Sequence, residues 1–144
     1  MIKIYFAGSI RGGRNDVNIY KKIIKHLQLL GKVLTEHVGQ VTARGEVGKS
    51  DKYIYRRDLN WLSSSDLVIA DVSSPSLGVG FEIAKAIELN KKVLCLFHGQ
   101  KNKKLSAMIS GCPNIKVGEY DTFDDAKKII DKFYAGNSKN LRSK

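Results

Sequence analysis

Short apolar runs that alternate with helical patterns constrain this chain more than any other feature. Ile2 to Phe6, Lys32 to Thr35, Leu67 to Asp71, Lys92 to Phe97 and Ile115 to Glu119 are short and rich in β-formers, so each reads as a strand. After the first of them, Ile19, Tyr20, Ile23, Ile24, Leu27 and Leu30 recur at helical spacing; Asn15 or Asp16 can cap the start and Gly31 stops the helix. Asp51 to Ser64 reads as a second helix, Gly80 to Leu89 as a third and Leu105 to Ser110 as a short fourth. Thr122 caps a closing helix with Ala126, Ile129, Ile130, Phe133 and Tyr134 on its inner face. Alternation of this kind requires right-handed crossovers between parallel strands. The expected fold is α/β, a doubly wound, flavodoxin- or Rossmann-like parallel sheet of five strands with helices on both faces. Residues 1–134 are expected to form a single domain and 135–144 a disordered basic tail.

Composition removes several functional classes. No apolar run approaches the ~20 residues that cross a membrane. The start, MIKIYFAGS, turns polar too early for a signal peptide, so a cytoplasmic location is expected. The formal charge of +11 attracts anions, but the lysines are scattered and lack interleaved aromatic residues, so a small phosphorylated ligand is expected rather than nucleic acid. Cys95 and Cys112 match neither a zinc spacing nor a disulfide framework, and His26, His37 and His98 share no ligand spacing, so no metal or other cofactor is expected.

In an open parallel sheet, ligands sit at the carboxyl ends of the strands. Three segments should meet there: Gly8 to Arg14, the region around His37, and Ser73 to Glu82, within the stretch DVSSPSLGVGFE that starts at Asp71. In the last, Gly78 and Gly80 permit close backbone approach, Ser73, Ser74 and Ser76 offer hydroxyls, and a helix start favours an anion. In the first, Gly8, Gly12 and Gly13 bare the backbone while Arg11 and Arg14 offer two-armed contacts to phosphate. The spacing fits neither the dinucleotide fingerprint nor a P-loop. Gly39 to Ser50 is polar, glycine-containing and unpatterned, a loop suited to lie over a site.

Two carboxylates stand out. Asp58 lies on the second helix near Trp61 and Leu62, and Glu82 sits where the third helix begins. A carboxylate in the first helical turn either complements the dipole or does chemistry; two in one cleft can cleave a glycosidic bond. Tyr5, at the end of the first strand, is either core or a hydroxyl that steadies a carboxylate.

The blocks YFAGSIRGGR, GKVLTEHV, DLNWL, PSLGVGFE, VLCLF and LSAMI, in this order, resemble the 2′-deoxynucleoside 5′-phosphate N-hydrolases within the wider nucleoside 2-deoxyribosyltransferase superfamily. The resemblance implies hydrolysis of the N-glycosidic bond of deoxynucleoside monophosphates, with Glu82 as nucleophile, Asp58 as general acid and Tyr5 orienting the nucleophile. It implies a phosphate pocket of Ser76, Gly78 and the loop of Gly8, Ser9, Ile10, Arg11, Gly12, Gly13 and Arg14, with Ser106 supplied by a second subunit. His37, Ile10, Ile54 and the second subunit's Met108 would line the base, making a homodimer the expected unit. The rival readings are a deoxyribosyltransferase, a CMP-type ribonucleotide N-hydrolase and a non-catalytic nucleotide-binding protein.

Overall fold

The computed structural model describes residues 1–10, 14–39, 46–99 and 103–143. The strands β1 (Lys3–Ala7), β2 (Lys32–Val33), β3 (Leu67–Asp71), β4 (Lys92–His98) and β5 (Ile115–Tyr120) form one sheet in the order β2-β1-β3-β4-β5. All four pairings are parallel, as the alternating pattern requires. The helices are α1 (Arg14–Leu30), α2 (Asp51–Ser64), α3 (Leu77–Glu88), α4 (Ala107–Ser110) and α5 (Phe123–Arg142).

Successive residues of a strand point to opposite faces, and β1 feeds two cores in this way. Ile4 and Phe6 enter a core built with Tyr20, Ile23 and Leu27 of α1 and Ala126 and Ile130 of α5. Tyr5 and Ala7 enter the other core, with Leu62 of α2 and Val79, Ile83 and Ala86 of α3. The helices therefore cover both faces. Leu62 has no exposed surface, and burial of such a side chain stabilises the fold by about 1.5–3 kcal/mol. Cys95 is buried in β4, where loss of solvent pushes its thiol up to about 12.

Several boundaries differ from the expectation. β2 ends at Val33 rather than Thr35, because the Thr35 side chain takes over the strand's work: Oγ1 accepts from Phe6 N at 2.8 Å and donates to Phe6 O at 2.7 Å. The chain then turns into a short 3-10 helix, Glu36–Gly39, that carries His37. α3 begins at Leu77 rather than Gly80, since Ser76 is its N-cap and its Oγ accepts from Val79 N at 3.3 Å. Gly78 and Gly80 consequently lie inside the helix, and Glu82 stands in its second turn. β4 runs one residue past Phe97, so His98 ends the strand.

The closing helix continues past Tyr134 to Arg142 where a disordered tail was expected. Tyr134 is partly buried and donates its hydroxyl to Leu30 O at 2.8 Å, Ser138 is buried and Leu141 packs on the core. Their spacing of four and three residues continues the inner face through a polar stretch.

Candidate active site

Each of the three candidate catalytic side chains is aimed by its element. Tyr5 is 1% exposed and points from β1 toward α2 and α3. Asp58 lies between Ile54 and Leu62 at spacings of four on α2, so the helix turns it toward the side where Leu62 is buried. Glu82 lies one residue before the buried Ile83 of α3.

The Tyr5 hydroxyl and the Glu82 carboxyl group interact, each shifting the titration of the other. Glu82 keeps some exposed surface, but protein surrounds its carboxyl end, and this burial pushes it up to about 7; the Tyr5 hydroxyl pulls it down and the charge of Asp58 pushes it up further. Burial raises the Tyr5 hydroxyl well above its ordinary range, reinforced by Glu82 and then Asp58, so Tyr5 stays protonated. Asp58, Glu82 and Tyr5 thus form one electrostatic unit, a proximity that sequence could not establish.

Asp58 is held from the other side. Arg57 reaches Asp58 Oδ1 with Nε at 2.9 Å and Nη2 at 2.8 Å. The same guanidinium grips Glu46 with both arms, Nη1 to Oε1 at 2.7 Å and Nη2 to Oε2 at 2.8 Å. It also lies 4.7 Å from the centre of the Trp61 ring and 5.9 Å from that of Tyr53. His37 Nε2 joins this group at 3.2 Å from Glu46 Oε1 and 3.3 Å from Arg57 Nη2. Burial, then the Arg57 charge, lowers His37 below its usual range, so the ring is neutral at neutral pH. The hydrogen bonds from Arg57 hold the Glu46 carboxyl group below the usual carboxylate range.

Sequence reasoning missed Arg57 and Glu46. The one available signal for Arg57 was its place four residues from both Tyr53 and Trp61. Glu46 lies in the unpatterned stretch before α2 and had none.

The candidate phosphate-binding residues are placed unevenly. Gly8 is fixed by a close approach, because a Cβ there would stand 2.8 Å from the Tyr20 ring. The Ser9 amide donates to Tyr20 Oη at 3.1 Å and so serves the fold. Ile10 is partly exposed at the edge of this loop. Arg11, Gly12 and Gly13 lie outside the described residues, and so does the side chain of Arg14. The loop after β3 is tied down by buried Asp71, which accepts from Tyr120 Oη at 2.7 Å and Ser73 N at 3.0 Å, while Ser73 Oγ accepts from His98 N at 2.8 Å.

A cavity of about 790 Å³ opens beside the α3 N-terminus, with Ser74, Ser76, Lys104, Ser106 and Met108 in its walls. Tyr5, Asp58 and Glu82 do not line it. Within one chain, Ser106 and Met108 are thus brought toward Ser76 rather than toward the carboxylates. Among the described residues no group of three or more His, Cys, Asp and Glu side chains could hold a metal ion, and no helix is long and apolar enough to cross a membrane.

The family model described as nucleoside 2-deoxyribosyltransferase matches residues 4–130. The chain belongs to the nucleoside 2-deoxyribosyltransferase family. Among members of this family, a Nematostella vectensis protein with the provisional name 2′-deoxynucleoside 5′-phosphate N-hydrolase 1 is 52% identical over 138 residues, covering 92% of this chain and 93% of the relative. The Danio rerio 5-hydroxymethyl-dUMP N-hydrolase is 46% identical over 144 residues, covering 96% of this chain and 100% of the relative. The nucleoside 2-deoxyribosyltransferase fold also appears in the structure of Clostridium botulinum CMP N-glycosidase, with a TM-score of 0.64 at 18% identity over 90% of this chain and 98% of that one.

Proposed function

We propose that this protein hydrolyses the N-glycosidic bond of 2′-deoxynucleoside 5′-monophosphates, releasing free base and 2-deoxyribose 5-phosphate. The activities named for its relatives support this reading, and the observation that carries it is the electrostatic coupling of buried Tyr5, Glu82 and Asp58.

In this reading ionised Glu82 attacks C1′ while the bond from C1′ to the base nitrogen breaks, and Asp58 delivers a proton to the departing base. Water then attacks C1′ of the glycosyl-enzyme, Asp58 takes the water's proton, and Glu82 leaves as carboxylate. The sum is one water consumed. A deoxy sugar lacks the electron-withdrawing 2′-hydroxyl, so its positively charged transition state needs less assistance. Tyr5 favours the ionised nucleophile and fixes its direction. Phosphate contacts at Ser76, Gly78 and the Gly8–Arg14 loop, away from the reacting carbon, supply binding energy for positioning.

The functional unit in this reading is a homodimer in which Ser106 reaches the neighbour's phosphate and Met108 its base. Met108 is 83% exposed, and Leu77 and Phe81 of α3 are exposed as well, an apolar surface beside the cavity that a second copy would cover. His37, Ile10 and Ile54 take the base side. A free nucleotide substrate goes with a cytoplasmic protein.

The test is incubation with the four deoxynucleoside monophosphates, 5-hydroxymethyl-dUMP, the matching nucleosides and ribonucleotides, with and without a second free base, followed by chromatography. Base release from deoxynucleoside monophosphates is expected. Base exchange would make the protein a transferase, release from ribonucleotides alone would make it a ribonucleotide hydrolase, and no turnover would refute the reading.

A further inference from the structure

We infer that Arg57 is a positioning residue for the acid, anchored by Glu46, and that it leaves Asp58 Oδ2 as the oxygen that carries the proton to the base. The inference rests on the reading of Asp58 as general acid.

Arg57 and Asp58 are neighbours on a helix, so their side chains leave it about 100° apart. Left alone, a long cationic side chain beside an inward carboxylate would extend into water. Three restraints prevent this. Glu46 binds both arms of the guanidinium, a geometry that fixes its plane as well as its place. Trp61 and Tyr53, one turn away on either side, provide aromatic faces for it. The Arg57 side chain is 11% exposed and that of Glu46 is 9% exposed, so water competes little for either.

The result differentiates the two oxygens of Asp58. Arg57 Nε donates to Oδ1 and Nη2 stands in ion-pair contact with the same oxygen, while among the described residues Oδ2 accepts no hydrogen bond. A carboxyl group held by one oxygen cannot turn freely, and its second oxygen keeps a fixed direction for proton delivery. Four other groups complete the surroundings. Glu82 and Tyr5 feel the charge of Asp58 from α3 and β1, as does His37 from the 3-10 helix, while Lys49 stands 3.8 Å from Glu46 Oε1. None of them donates a hydrogen bond to Asp58, so Arg57 alone sets its direction among the described residues.

The test is a double-mutant cycle on the full chain, with single-turnover rates on the deoxynucleotide that it hydrolyses fastest. Arg57→Ala should lower the rate by about tenfold or more, part of the ~10²–10⁴-fold that general acid catalysis contributes, with KM within about twofold of wild type. In the Asp58→Asn background the same change should cost less than about twofold, because nothing remains to position. Glu46→Gln, which alters neither size nor helix, should follow the same pattern at smaller size and serves if Arg57→Ala does not fold. An equal loss in both backgrounds, or an unchanged or faster rate with Asp58 present, would overturn the inference. Full activity of Asp58→Asn itself would instead strike the reading of Asp58 as acid, a separate outcome.

Discussion

Gly78 lies four residues before Glu82 on α3, and a Cβ built on it would stand 4.0 Å from Glu82 Oε1 and 3.9 Å from Ser76 Oγ. Nothing in the fold itself requires glycine there, since those are ordinary contact distances. The missing side chain therefore preserves space between the Ser76 hydroxyl and the Glu82 carboxyl group. Gly78→Ala should raise thermal stability, by up to about 1 kcal/mol of helix propensity, while it lowers turnover. Melting curves and rates on the same sample decide this; a loss of both would point to a structural need for glycine.

Burial gives Glu82 its own signature in the rate. A carboxyl group near pH 7 that must be ionised to attack gives kcat/KM an acid limb close to neutrality, and the rate should fall as pH drops through it. Tyr5 favours the ionised form, so Tyr5→Phe should move that limb to higher pH. A limb that stays in place would remove Tyr5 from the control of Glu82.

The same shift has a stability side. With the folded value raised from 4.5 to about 7, the folded state binds the Glu82 proton more tightly than the unfolded chain. Below pH 4.5 this costs nothing, and as pH rises toward 7 and beyond, the folded state loses on the order of 3 kcal/mol relative to a neutral side chain. Glu82→Gln should accordingly stabilise the protein at pH 8 and have little effect at pH 4, as measured by denaturant unfolding at both pH values.

The proposed phosphate recognition across subunits can be read by comparing ligands. Ser106→Ala should weaken binding of the deoxynucleoside monophosphate several-fold and leave the unphosphorylated nucleoside unchanged. Met108→Glu should separate the subunits in sedimentation and produce the same selective loss. If Met108→Glu stays dimeric, Met108 is not in the interface.

Truncation after Tyr134 tests the last helix. A disordered tail would be lost without effect, whereas removal of buried Ser138 and the core-packed Leu141 should cost about 1–3 kcal/mol of unfolding free energy.

Period and punctuation made the strands, the sheet class and most helix bodies legible in the sequence, because they are local properties of the chain. What escaped depended on partners distant in sequence. Thr35 reads as a strand residue, and only β1 beside it reveals a hydroxyl that replaces the ladder. Ser76 lies ahead of two glycines that resemble a loop, yet its cap carries the helix through them. Tyr5 and Glu82 were legible as candidates, but their interaction joins residues far apart in the chain. Arg57 and Glu46 were hidden most completely, since a polar stretch without pattern supplies one of the two.

The grip of Arg57 on Glu46 also bears on how such an enzyme diverges. Glu46 itself belongs to neither hydrophobic core, so its replacement escapes the packing constraints that hold Tyr5 and Leu62 in place. Residue 46, and with it the setting of Asp58, can therefore change without repacking the sheet. The acid side of the proposed mechanism is then open to gradual evolutionary adjustment from one position outside the cores, while Tyr5 stays locked to a central strand.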